Sequence, residues 1–365
     1  LKQSYPNIEL IIVDDNSTDN SFQLAQKYNS ENVHIYKNPK KGGNSARDYA
    51  FEQCKGEYIK FMDADDYCTD DLIERQMERI LTDGDNNTLV FSPVKEEAVA
   101  HGITVLQPER ARDEAFVEEL RKYNADVFVV VAFGQLLPKS IIDMPRLGCI
   151  NVHASLLPKY RGASPIQWAV IDGCEYSGVT TMKMDEGLDT GDILLVDKVK
   201  LDKKETGGSL FDRLSDVGAH LLVKTLEGLE SGSIMPEKQN EAESSYVKML
   251  KKSMGELDFT KSARQIECLI RGLNPWPSAF THLNGKMLKI WDADVVTDSD
   301  DIINNNNVSK ECEAGTVCYV DKKTFIIKCG KDYLKVNELQ LEGKKRMSAD
   351  AFLLGSHVEE GTALG

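Results

Sequence analysis

No stretch of this 365-residue chain approaches the roughly 20 consecutive apolar residues that a membrane-spanning helix needs. The start shows no signal-peptide pattern, so the sequence reads as that of a cytoplasmic protein. It opens on Leu1 instead of Met, which the reading attributes to an incomplete frame rather than to processing. An excess of positive charge is also missing. The 44 Lys and Arg stand against 59 Asp and Glu, a net charge of −15 that excludes indiscriminate binding to nucleic acid. Metal and disulfide signatures are absent as well. The eight cysteines (Cys54, Cys68, Cys149, Cys174, Cys268, Cys312, Cys318 and Cys329) form no CxxC pair and no zinc-like spacing to a histidine, as expected of scattered reduced thiols.

What is present suits a globular protein of two or three domains: 41% hydrophobic and 28% charged residues over this length. The charge is uneven. Residues 1–92 hold 10 Lys and Arg against 17 Asp and Glu, whereas residues 241–350 hold 17 of each. A basic face able to meet RNA is therefore expected in the last third.

Residues 1–90 alternate strands and helices. Ile8–Val13 is a buried-strand run, and the polar Asp14–Asp19 caps a helix over Ser21–Tyr28. Strands at Asn32–Tyr36 and Glu57–Met62 and helices at Ser45–Cys54 and Asp70–Leu81 complete the pattern, and Thr82–Asn87 breaks it with turn residues. A second series follows, with helices at Pro93–His101 and Arg112–Asn124 and strands at Thr104–Gln107, Asp126–Ala132 and Gly148–Val152. Asp126–Ala132 is apolar on both faces, as a central parallel strand should be. Such βα alternation implies a doubly wound parallel sheet of the α/β class. After Gly232 the rhythm changes. Lys261–Gly272 is an amphipathic helix, and short strands at Leu288–Trp291, Gly315–Val320, Thr324–Lys328 and Tyr333–Leu341 suggest a small antiparallel barrel. Between them Asp298–Glu313, with its run Asn304–Asn307, reads as a polar, mobile loop.

The richest stretch for chemistry is Cys149-Ile150-Asn151-Val152-His153-Ala154-Ser155-Leu156-Leu157-Pro158. Two residues apart on a strand, Asn151 and His153 share one side, at the C-terminal end where open α/β sheets place their sites. Asp185-Glu186-Gly187-Leu188-Asp189-Thr190-Gly191-Asp192 is a carboxylate-rich turn that can fold back onto them. An amide, an imidazole and a carboxylate together can stabilise an oxyanion and manage a proton. Taken alone, a histidine at a strand end is more often a structural hydrogen-bonding residue.

The pattern Asn-x-His-x-Ser-x-Leu-Pro, followed by Tyr160-Arg161-Gly162 with Pro165 and Trp168 and then by Leu188-Asp189-Thr190-Gly191, resembles the signature of folate-dependent formyltransferases. The resemblance implies that Asn151, His153 and Asp189 are catalytic: Asn151 donating to the developing oxyanion, His153 stabilising charge and helping to move the amine proton, and Asp189 setting the imidazole's protonation and positioning a bridging water. It implies that the pterin head of 10-formyltetrahydrofolate is held by loops at Phe133, Gln135, Leu136, Leu137 and Pro138, at Ser155, Leu156, Leu157 and Pro158, and at Asp185 and Gly187. Ile270–Pro277, Asn284–Trp291 and Gly343–Ala349 resemble the C-terminal barrel of the methionyl-tRNA formyltransferase family, which implies initiator Met-tRNA as partner of a monomeric enzyme. Lys344, Lys345 and Arg346 are then candidate contacts to the tRNA backbone, in an OB-like barrel.

The resemblance starts only near Phe91. Members of that family open with further strands that lie beside the one holding Phe128–Val131, and a sheet without them would leave unpaired backbone groups and exposed apolar area. Residues 1–80 resemble a family 2 glycosyltransferase instead, through Tyr5-Pro6-Asn7-Ile8-Glu9, Val13–Asp19, Gly42–Arg47, Lys55-Gly56-Glu57-Tyr58 and Phe61-Met62-Asp63-Ala64-Asp65-Asp66. That likeness implies a divalent cation, Mg²⁺ or Mn²⁺, on Asp63 and Asp65 if the piece works at all, since hard carboxylate oxygens suit such ions. Its acceptor half is missing. The expected organisation is a glycosyltransferase-like fragment at 1–85, a truncated formyltransferase domain at 91–235 and a tRNA-binding barrel at 240–365. The rival readings are a nucleotide-sugar glycosyltransferase and a non-catalytic chimeric product. A further expectation is that strands at 8–13 and 57–62 stand in for the missing formyltransferase strands.

Overall fold

The β-branched residues Ile11, Ile12 and Val13 form strand β1 (Leu10–Asp14), which pairs in parallel with β2 (Val33–Lys37) from Leu10↔Val33 to Asp14↔Lys37. In the computed structural model the described residues are 3–56, 58–62, 70–74, 76–77, 92–305, 308 and 311–365. They divide into two compact units, Leu1–Leu106 and Gln107–Gly365. In the first unit, helices α1 (Ser21–Gln26), α2 (Gly43–Gln53) and α3 (Pro93–Ala100) follow the expected pattern. Ser92 caps α3 by accepting the Lys95 N–H, with Pro93 at the first helical position where no donor is lost. Among the described residues here only Val33 and Ile35 are buried apolar side chains. Their burial is worth about 3–6 kcal/mol together, whereas ordering each backbone residue costs about 1–2 kcal/mol.

Two expected strands of this unit do not form: residues 58–62 and 104–107 carry no strand. Residues 72–74 and 76–77 are helical, as expected; the Asp63–Asp65 element and the Thr82–Asn87 break lie outside the described residues. Among the described residues β1 pairs with β2 alone, in a sheet of two, and the expected stand-in of 8–13 for a formyltransferase strand finds no pairing there. Short β-branched runs specify extended backbone without specifying a neighbour.

The second unit is built on a four-stranded sheet in the order β3-β4-β6-β7, comprising β3 (Phe128–Val130), β4 (Cys149–His153), β6 (Tyr176–Lys183) and β7 (Asp192–Lys200). Only β3 and β4 pair in parallel; β6 and β7 run antiparallel, so the sheet is mixed. Between β4 and β6 the two-residue strand β5 (Arg161–Gly162) pairs with β8 (Tyr246–Val247). The expected central strand at Asp126–Ala132 is instead three residues long and is the last strand of the sheet among the described residues, with Val129 41% and Val131 59% exposed. Its apolar character matches a central position that no further described strand completes. Helices α4 (Glu114–Arg121) and α5 (Lys139–Ile142) pack Val117, Ile141 and Phe128 into one small cluster.

Helix α6 (Pro165–Ile171) starts on a proline, and α7 (Gly207–Ser231) starts on a capping box in which Thr206 and Ser209 satisfy each other's backbone N–H. Gly232, left-handed at φ 69°, stops α7. Leu210, Leu214 and Leu221, spaced by a helical period, bury one face of α7 against Val152 of β4 and Val179 of β6. This fixes the strand that carries Asn151 and His153.

A second capping box, Ser262 with Gln265, opens α8 (Ala263–Gly272), whose Ala263, Ile266 and Ile270 pack on an antiparallel sheet. That sheet runs β11-β12-β13-β10-β9, with β14 (Met347–Ser348) on β13. Its strands are β9 (Ala279–Leu283), β10 (Lys286–Val296), β11 (Val317–Val320), β12 (Phe325–Lys328) and β13 (Tyr333–Leu341); the last three lie where the sequence places them, β10 is longer than the expected Leu288–Trp291, and β9 is not among those expected. The expected loop at Asp298–Glu313 contains α9 (Asp301–Asn305), and its Ile303 and Val308 are buried with Tyr333 and Cys318. Two apolar anchors outweigh the polar composition around them. Helix α10 (Ala349–Gly355) closes the unit through Ala349 and Phe352.

Candidate functional site

β4 presents Asn151 and His153 side by side, and the turn after β6 brings Asp189 to both. The Asn151 Nδ2 donates to Asp189 Oδ1 at 3.4 Å, and His153 Nδ1 stands 3.6 Å from Asp189 Oδ2. His153 is 7% and the Asp189 side chain 12% exposed, so the pair lies in shelter where charges act strongly. The Asp189 Oδ2 also accepts the Gly162 N–H at 2.7 Å, a short charge-assisted bond. The His153 Nε2 lies 2.9 Å from the carbonyl oxygen of Tyr160. A carbonyl only accepts, so Nε2 carries a proton and Nδ1 is the nitrogen that faces the carboxylate. A gap of 3.6 Å is ion-pair distance and longer than a hydrogen bond.

Backbone strain gathers here. Asp189 (φ 56°), Tyr160 (φ 60°) and Ser164 (φ 63°) are left-handed without being glycine, at a cost of about 1–3 kcal/mol each. Gly162, at φ 100°, is required twice over: a Cβ there would stand 2.6 Å from the Val247 carbonyl oxygen. A Cβ at Gly191 would stand 1.9 Å from the Lys183 carbonyl oxygen, so the turn holding Asp189 seats directly on the end of β6.

Several residues that shape the site carry no assignment from sequence. Arg161 is fully buried and donates to Gln239 Oε1 (3.0 Å), to both Glu241 oxygens (2.7 and 3.0 Å) and to the Tyr246 hydroxyl (2.9 Å). Its bond to Glu241 raises the guanidinium's pKa, and the same bond lowers that of the Glu241 carboxyl. The Tyr160 hydroxyl donates to Asp172 at 2.9 Å and accepts from the Cys174 thiol at 3.0 Å; burial, with these two bonds, pushes its pKa up. The motif Tyr160-Arg161-Gly162 flagged this stretch but not these roles. Gln239 lies 50 residues beyond Asp189 with no local pattern to mark it. A strap over residues 237–248 runs across the site. Glu237 pairs with Ile193, the Ser245 hydroxyl takes the Tyr160 N–H at 2.9 Å, and the Lys248 carbonyl takes the Trp168 indole N–H at 2.8 Å.

The remaining candidates fall in four segments. Ser155–Pro158 leaves β4 in a loop stapled by buried Thr180, which donates to the Ser155 carbonyl and accepts from the Leu157 N–H. The Ser155 hydroxyl is turned inward onto the Lys159 carbonyl at 2.7 Å. Asp185 closes its turn by accepting from Gly187 and Thr190. Gln135 bonds Ala111 and Glu109, and Leu137 is packed with α4 and α5, whereas Phe133 and Leu136 are 43% and 78% exposed. Lys344, Lys345 and Arg346 are exposed on the β13–β14 turn, apart from the Asn151 cluster in the fold; Arg346 pairs with Glu338 and lies 4.8 Å over the Trp291 ring.

Comparison with known proteins shows the family to which the chain is similar. Residues 75–226 match the family model described as formyl transferase, and residues 249–357 match its C-terminal domain. Residues 1–143 match glycosyl transferase family 2, so residues 75–143 are claimed by both models. A methionyl-tRNA formyltransferase of Lachnospira eligens is 74% identical over 282 residues, which cover 77% of this chain and 88% of that protein. One of Agathobacter rectalis is 54% identical over 279 residues, covering 76% and 87%. Among solved structures, WlaRD, a sugar 3N-formyl transferase crystallised with dTDP and 5-N-formyl-THF, shares the fold. Its TM-score is 0.51 at 18% identity, over 93% of this chain and 99% of that one.

Proposed function

The chain belongs to the methionyl-tRNA formyltransferase family, and from that premise we propose that it moves a formyl group from 10-formyltetrahydrofolate to the amino group of initiator Met-tRNA in the cytoplasm. The observation that carries this reading is the convergence of Asn151 and His153, at the end of β4, on Asp189, at 3.4 and 3.6 Å from its carboxylate oxygens.

The chemistry asks for three things. When the amine nitrogen attacks the formyl carbon, the carbonyl oxygen takes up negative charge; the bond from that carbon to the donor nitrogen then breaks, and the amine loses a proton. Asn151 spends one amide proton on Asp189 and keeps a second for the developing oxyanion. His153 supplies charge and a proton site: its Nε2 proton is held by Tyr160, so the site able to change its proton is Nδ1, beside Asp189. Asp189 is the counter-charge and the orienting group, itself held by Gly162. Donors fixed before the reaction lower the barrier without reorganising.

The loops around Phe133, Leu136 and Leu188 offer exposed apolar side chains for the flat ring of a folate, and turn backbone is available at Asp185–Gly187 for its polar edge. On the antiparallel sheet, Trp291 with Lys289 and Arg346 over its ring makes an aromatic and basic patch for RNA, with Lys344 and Lys345 beside it. The test is substrate class. The chain is offered 10-formyltetrahydrofolate with either charged initiator Met-tRNA or an amino sugar nucleotide; formyl appearing only on the tRNA supports the reading, and formyl appearing on the sugar contradicts it. Transfer from a nucleotide sugar in the presence of Mn²⁺ would instead favour the likeness of residues 1–143 to glycosyl transferases.

A further inference from the structure

We propose that Gln239, with Arg161 behind it, is a positioning residue that holds Asp189 in its working conformation; this rests on the formyl-transfer reading above. The Gln239 Nε2 donates one proton to the carbonyl oxygen of Asp189 at 2.8 Å and the other to that of Gly191 at 2.7 Å. Its Oε1 accepts from Arg161 Nε at 3.0 Å. The amide therefore has one orientation: turned over, it would set its oxygen against two carbonyls and its protons against a guanidinium.

What the amide holds needs holding. Asp189 sits in the left-handed region at φ 56°, which a non-glycine residue keeps only when its surroundings fix it. Its carboxylate is then aimed at Gly162, Asn151 and His153 at once. Arg161 in turn is anchored by Glu241 and Tyr246 on the strap that carries Gln239, and its own backbone is paired with that strap through Arg161↔Tyr246. The segment between α7 and α8 thus reaches the backbone of the Asp189 turn. Gln239 touches no reacting atom in this arrangement. It acts through the backbone of Asp189.

The test uses Gln239→Glu, which keeps shape and the bond to Arg161 but replaces both donors by an oxygen, and Gln239→Met, which keeps length and removes every polar atom. Misplacing Asp189 by about 1 Å is expected to lower kcat by roughly 10²-fold while KM for both substrates changes little. In an Asp189→Asn background the further loss should nearly vanish, because two residues acting through one group are not additive. Independently of turnover, the ring ¹⁵N shifts of His153 should move in both folded variants. Wild-type kcat in Gln239→Glu, losses that multiply with Asp189→Asn, or unchanged His153 shifts would each overturn the proposal. If the wild-type chain itself transfers no formyl group, the functional reading fails, and the His153 shifts still decide the positioning role.

Discussion

His153 hangs from the backbone of Tyr160: Nε2 donates to that carbonyl at 2.9 Å, and with that bond made Nδ1 faces Asp189. The imidazole's direction is thus set by a loop and its charge environment by a carboxylate. The two can be separated experimentally. Asp189→Asn keeps an acceptor for Gly162 and leaves the Tyr160 bond intact, so the variant should fold with an unchanged melting temperature and lose about 10²–10⁴ in kcat. Kinetics paired with thermal unfolding checks both halves, and near-normal kcat in the folded variant would count against the role given to Asp189.

Gly162 is a point where the strap over 237–248 and the loop after β4 touch. Gly162→Ala places a methyl 2.6 Å from the Val247 carbonyl in a left-handed backbone. The β5–β8 pair should open, with a loss of about 1–3 kcal/mol in urea unfolding and faster proteolysis between residues 237 and 248. An unchanged urea midpoint would show that the close approach costs nothing.

The position of β3, last among the described strands, makes a contrast within one sheet. Val129, 41% exposed, should accept threonine within about 0.5 kcal/mol, whereas Ile150→Ala, fully buried on the neighbouring strand, should cost about 2–5 kcal/mol. Chemical denaturation of the two variants measures both. Equal large losses would place β3 in a core, as the sequence alone suggests.

Burial pushes the Cys329 thiol up to about 12 from its ordinary 9.0. The folded state therefore keeps a proton that the unfolded chain releases, and the stability this contributes is complete below pH 9 and lost as pH rises from 9 towards 12. Each pH unit inside that window weakens folding by about 1.4 kcal/mol. Cys329→Ala removes this dependence, so the stability gap between wild type and variant should shrink between pH 8 and pH 10.5. A gap that stays constant or widens would contradict it.

Much of this could be read from the chain. Strand period and a carboxylate-rich turn put Asn151, His153 and Asp189 forward only weakly, and it is the resemblance to formyltransferases that singles them out. Four strands of the C-terminal sheet were legible because Gly and Asn turns separate β-branched runs, whereas β9 was not. Gln239 was not legible, since its value comes from a strap that returns 50 residues later. β3 misled for a related reason: apolar residues on both faces record the neighbours a strand suits, and no further described strand pairs with it. In the stretch Asp298–Glu313, polar composition hid Ile303 and Val308, two anchors that decide the local fold.

The most direct test of the account is formyl transfer by the purified full chain from 10-formyltetrahydrofolate to charged initiator Met-tRNA, run beside His153→Ala. The account predicts transfer by the wild-type chain and its loss in a variant with unchanged circular dichroism. A folded wild-type chain that transfers nothing, or a variant that transfers as well as its parent, would contradict it.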